Sequence, residues 1–68
     1  MADVLIHKIG TPSRKILEKI LDGVKVKINE GDGCYDFSVS NLSRYRAKKI
    51  ADLINKSRQS YYCARVSY

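Results

Sequence analysis

Two short runs of strictly alternating residues flank a glycine-rich turn near the middle of the chain, and they constrain the fold more than any other feature. Val24-Lys25-Val26-Lys27-Ile28 is apolar at every second position, and Cys34-Tyr35-Asp36-Phe37-Ser38-Val39-Ser40 repeats the pattern with Tyr35, Phe37 and Val39. A period of two is that of a strand with one face buried. Between the runs, Asn29-Glu30-Gly31-Asp32-Gly33 is dense in turn-forming residues, so the segment predicts a β-hairpin. The chain of 68 residues makes one small domain, residues 1–68, with little core to spare.

The flanks supply the cover for that hairpin. Val4 to Ile9 is a branched, apolar run closed by Gly10, which reads as a strand. Thr11 is placed to cap a helix with Pro12 at its first position, where the missing N–H costs nothing. Ile16/Leu17 and Ile20/Leu21 recur four apart on one helical face, and Gly23 can close the helix in a left-handed cap. A second helix is expected from about Leu42 to Lys56, capped by Ser40 or Asn41, with Leu42, Ala47, Ile50, Leu53 and Ile54 on its buried stripe. Tyr61 to Tyr68 has strand composition.

Strand, helix, strand, strand, helix, strand is an α+β order with one common compact solution. That is the ferredoxin-like, split βαβ arrangement: a four-stranded sheet with both helices on one face. Right-handed crossovers put the first strand between the third and fourth and the second at an edge. Tyr62, Ala64 and Val66 then face the core, and Cys63 and Arg65 the open side. The first strand is ambiguous, because His7 shares parity with Leu5 and Ile9 against Val4 and Ile6.

Charge decides which functions are worth testing. Thirteen Lys and Arg stand against 7 Asp and Glu, for a net +6. Residues 1–36 are balanced, so the excess lies in residues 37–68, where Arg44, Arg46, Lys48, Lys49, Lys56, Arg58 and Arg65 face Asp52 alone. No apolar run approaches the roughly 18–20 residues of a membrane span. The first residues lack the basic and apolar regions of a signal peptide. Two cysteines without Cys-x-x-Cys spacing suit a reducing, cytoplasmic setting and no structural zinc. His7, Cys34 and Cys63 are too few for a metal site, so neither a metal nor a cofactor is expected.

The turn at Glu30 to Gly33 lacks the spaced carboxylates of a calcium loop and the Lys-Ser/Thr of a phosphate loop. Gly10 to Lys15 can be read as an anion cradle or, more simply, as a capped helix start. One histidine and no paired nucleophile argue against an enzyme. Two families share the expected strand order, and neither activity carries over. RNA-recognition motifs stack bases on aromatics of the central strands, where this chain has Cys34, Asp36 and Ser38. Heavy-metal-associated domains place Cys-x-x-Cys before the first helix, where Thr11-Pro12-Ser13-Arg14 stands.

The second helix carries the functional expectation. At about 100° per residue, Arg44, Lys48, Lys49 and Lys56 share its outer face with Tyr45 and Asp52, while Arg46 falls on the apolar stripe. Arg46 can snorkel, pair with a carboxylate such as Asp36, or reach over the stripe's edge. Arg58 and Arg65 can extend the basic surface. The resulting expectation is a binding module for a polyanion, nucleic acid or a nucleic-acid-handling complex, through Arg44, Tyr45, Lys48, Lys49, Lys56, Arg58 and Arg65. The alternative is a protein-binding inhibitor or adaptor of the stand-alone kind found in phages and mobile elements, with a homodimer through a sheet edge available to it.

The strand order also separates Cys34 from Cys63 by two strand spacings, roughly 9–10 Å, beyond the roughly 7 Å that a disulfide spans between Cα atoms. Titration of the unfolded, unreduced monomer is therefore expected to count both thiols; a count of none would overturn this strand order.

Overall fold

A computed structural model describes residues 1–31, 33–56 and 61–68. Six elements follow in the order expected: β1 (Ala2–Lys8), α1 (Arg14–Ile20), β2 (Asn29–Glu30), β3 (Phe37–Leu42), α2 (Arg44–Asn55) and β4 (Tyr62–Ser67). The sheet runs β2-β3-β1-β4 with every neighbouring pair antiparallel. This is the expected α+β arrangement, with β1 inside and β2 at an edge.

The parity of β1 is resolved by what it touches. Ala2, Val4 and Ile6 are fully buried, together with Phe37, Val39 and Leu42 of β3, Tyr62 of β4, Leu17 and Leu21 from the α1 region, and Ala47, Ile50, Ala51 and Ile54 of α2. Both helices thus cover one face of the sheet. Asp3, Leu5 and His7 point to the other face and stay half-exposed, so the imidazole is kept out of the core.

Three boundaries differ from the sequence reading. The helix start lies at Ser13 and Arg14 rather than at Thr11 and Pro12, and the Ser13 side chain makes no capping bond. Its carbonyl instead accepts the Tyr62 hydroxyl at 2.8 Å, which ties α1 to the far edge of the sheet. Gly23, at φ +85°, still terminates the α1 region in the left-handed conformation.

The hairpin is shorter than its alternation suggests. Only Asn29 and Glu30 pair with β3, opposite Ser38 and Phe37. Val24, Val26 and Ile28 are half-buried while Lys25 and Lys27 are exposed, so the alternation reports burial without a ladder. Several main-chain groups of this segment are committed elsewhere. The Val26 N–H donates back to the Val24 carbonyl at 2.9 Å, and the Lys25 carbonyl accepts from the Arg46 guanidinium at 3.1 Å. Residues 34–36 belong to the connection, which Asp36 holds together. Its N–H donates to the Ile6 carbonyl, its carboxylate accepts from the Lys8 N–H at 2.7 Å, and its carbonyl accepts from the Gly31 N–H. Gly31 must be glycine here, since a Cβ would overlap the Tyr35 carbonyl.

The third difference is where β3 ends. The strand continues to Leu42 because three steps on β3, from Val39 to Leu42, match two on β1, from Val4 to Ala2. The extra residue makes a bulge. Asn41 sits in it at φ 62°, and its N–H is positioned to donate to the Asp3 carboxylate at 3.3 Å. The bulge turns Leu42 into the core and delays α2 to Arg44. Its cap is therefore Ser43, whose hydroxyl accepts from the Arg46 N–H at 3.2 Å, and not Ser40 or Asn41.

At the other edge, Asn55 clamps β4. Its side-chain carbonyl accepts the Ala64 N–H at 2.8 Å and its amide donates to the Ala64 carbonyl at 2.9 Å. The centre of the exposed edge is thereby covered by α2, a familiar protection against edge-to-edge pairing.

Two predictions follow from these contacts. Replacing Asn55 by Ala removes both bonds and is expected to lower the unfolding free energy by about 1–2 kcal/mol in urea titrations; unchanged stability would show that the clamp is idle. Burial, with a further contribution from the Asp36 carboxylate, raises the Tyr62 phenol above its ordinary pKa of 10.0. A raised folded-state pKa stabilises the fold below the unfolded value, and this contribution is lost as pH rises through the folded value. Tyr62→Phe is expected to cost about 0.5–1.5 kcal/mol at pH 7 through the bond to Ser13. It should also decline less steeply in stability above about pH 10 than the parent, which denaturant titrations across that range can measure.

Candidate functional site

Helix α2 is amphipathic because Ala47, Ile50, Ala51 and Ile54 recur every three or four residues and fit against β1 and β4. This packing fixes the rotation of the helix. Tyr45, Lys48, Lys49, Asp52 and Lys56 point away from the sheet, all exposed. Arg44 leans towards the β4 side, where its guanidinium lies 5.2 Å from the centre of the Tyr68 ring. One turn further on, the Lys49 ammonium lies 5.2 Å from the Tyr45 ring. Each cation is thus placed over an aromatic face.

The rings themselves are open: Tyr45 is 70% and Tyr68 73% exposed. Among the described residues, the ion pairs within 4.0 Å are those of Arg14, to Glu18 at 3.5 Å and to Glu30 at 3.1 Å. None of the α2 cations has such a carboxylate partner there. Asp52 shares the ridge as its one acidic side chain.

Five of the expected binding residues, Arg44, Tyr45, Lys48, Lys49 and Lys56, are therefore brought onto one exposed surface. Arg65 is not among them. It lies on the opposite sheet face, across from Leu5 on β1. Arg58 lies outside the described residues. Arg46 leaves the apolar stripe and reaches over its edge to the Lys25 carbonyl, so it fastens the 24–28 segment to α2. Tyr68 was visible in the sequence only as one of five tyrosines; the contact with Arg44 joins β4 to the start of α2, and no local pattern encodes it.

Leu53 also departs from expectation. It is 42% exposed, on the flank of α2 that faces Val24. With Val24, Ile50 and the stems of Arg46 and Lys49 it lines an apolar notch of about 290 Å³.

The other candidates look different once placed. At the start of α1, Arg14 is engaged by two carboxylates and by the Ile28 carbonyl at 3.3 Å, and its guanidinium stands 5.8 Å from the Phe37 ring. It binds α1 to β2, which leaves Lys15 as the one exposed cation of the Gly10 to Lys15 segment without a carboxylate within 4.0 Å among the described residues. His7 lies opposite Cys63 on the open face, and neither cysteine is in a disulfide. Among the described residues, no three His, Cys, Asp or Glu side chains come together as a metal site, and no helix is long and apolar enough to cross a membrane.

Comparison with known protein families, characterised proteins and solved structures finds no significant match. The functional reading therefore stands on the geometry of α2 and its neighbours.

Proposed function

We propose that the chain is a non-enzymatic docking module, acting in the cytoplasm, that binds a polyanion through the outer face of α2, with nucleic acid as the partner. The observation that carries this reading is the set of exposed cations Arg44, Lys48, Lys49 and Lys56, none held by a carboxylate among the described residues, beside two open tyrosine rings. A cation already paired gains little from a phosphate. An unpaired, solvated one gains by releasing the counterions condensed on the nucleic acid. The contrast with Arg14, whose guanidinium is engaged by Glu18, Glu30 and the Ile28 carbonyl, supports assigning the binding charge to α2.

These contacts neutralise and position; they read no bases, because α2 presents a ridge of flexible lysines rather than a fork aimed at base edges. A second reading, a protein-binding adaptor or inhibitor, draws on the apolar notch at Val24, Ile50 and Leu53 with its basic rim. A homodimer through a sheet edge fits the β2 side better than β4, whose edge Asn55 occupies at Ala64.

Four phosphate contacts imply that affinity drops between about 50 and 200 mM salt by roughly 50-fold for a single-stranded oligonucleotide and by roughly 150-fold for a duplex. Reversing charge with Lys48→Glu and Lys49→Glu together is expected to weaken binding by roughly tenfold or more and to flatten the salt slope, since two contacts are lost. Fluorescence anisotropy with a labelled oligonucleotide measures both. Affinity that ignores salt, or survives the double reversal, refutes the proposal.

A further inference from the structure

We infer that the ligand of this face is single-stranded nucleic acid, held by base stacking on Tyr45 and Tyr68 as well as by charge; this rests on the polyanion reading of the same surface and narrows it. Charge alone suits either a duplex or a single strand. The tyrosines discriminate. Both rings are more than two-thirds exposed, and each has a cation near one face. Lys49 at Tyr45 and Arg44 at Tyr68 each take one ring face and leave the other available. A base can use that free face only when it is unstacked from its neighbours, a condition that single strands meet and duplexes do not. At Tyr68, Arg44 adds a planar guanidinium, itself a stacking surface.

Asp52 points the same way. It lies on the ridge between Lys48 and Lys49 on one side and Lys56 on the other, exposed and without a cation within 4.0 Å among the described residues. A duplex with rigidly spaced phosphates running along α2 meets this carboxylate. A flexible single strand can route its phosphates to the lysines and pass it by.

The stacking surface is also assembled from two ends of the fold. Tyr45 belongs to the first turn of α2, and Tyr68 follows β4. Arg44, the residue before Tyr45, reaches Tyr68 because α2 packs along the β4 side of the sheet, where Asn55 fixes its far end to Ala64. The platform therefore exists only in the folded chain.

The test compares a labelled 12-nucleotide oligo(dT) with the same strand paired to oligo(dA), by fluorescence anisotropy, for the parent and for Tyr45→Ala, Tyr68→Ala, Tyr45→Phe and Tyr68→Phe. The expected result is single-strand binding at least roughly tenfold tighter than duplex binding. Each alanine variant should lose roughly tenfold on the single strand at an unchanged salt slope, with recovery by phenylalanine. Both side chains are exposed, so circular dichroism should show all four variants folded. Equal or tighter duplex binding, or alanine variants that bind the single strand like the parent, overturns the stacking proposal and leaves the charge-based reading standing. Binding to neither probe overturns both.

Discussion

The burial of Ala2, Val4 and Ile6 beneath α2 is the constraint on which the rest of the molecule depends. β1 is the one strand with long partners on both sides, and its apolar residues meet α2 and both neighbouring strands. In a domain this small there is a single face to cover, and each element is oriented by how it covers it. Because α2 must present Ala47, Ile50, Ala51 and Ile54 to that face, its lysines have no orientation left except outward. The basic surface is in this sense a by-product of core packing that the charged residues then exploit.

Around this core, polar side chains do the fastening that longer strands do in larger sheets. Arg14 joins α1 to β2, Arg46 joins α2 to the Val24–Ile28 segment, Asp36 knots the connection before β3, and Asn55 holds the edge of β4. Each of these bonds is exposed and individually modest. Their value lies in placement, since they sit where the ladder stops. The same distribution separates the cations into two groups. Arg14 and Arg46 are bonded within the fold, whereas Arg44, Lys48, Lys49 and Lys56 are left to solvent and to the tyrosine rings.

Much of this arrangement was legible in the residues. The order of elements, the position of β1 between β3 and β4, the inward parity of Tyr62, Ala64 and Val66, and the outward face of α2 all follow from periodicity combined with the handedness of crossovers. What failed failed for identifiable reasons. Val24–Ile28 has the composition of a strand, but its Val26 N–H turns back to the Val24 carbonyl and Arg46 takes the Lys25 carbonyl, so the ladder stops at Asn29. Leu53 fits the helical stripe by its spacing, yet lies exposed because the sheet meets α2 about a quarter-turn away from that side, centred on Ala47 and Ile54. Arg46, on the same side, takes the last of the three courses open to it and reaches over the stripe's edge to the Lys25 carbonyl.

The sequence by itself determined which faces are apolar and which element bears the charge, because periods of two and 3.6 residues are properties of the local backbone. Only the tertiary structure decided which backbone groups pair and which cations stay unpaired. The short β2, the bulge that moves the α2 cap to Ser43 and the meeting of Arg44 with Tyr68 all depend on contacts between residues far apart in the chain. Those contacts are fixed only when several elements compete for one core face at once, and no window of neighbouring residues contains that competition.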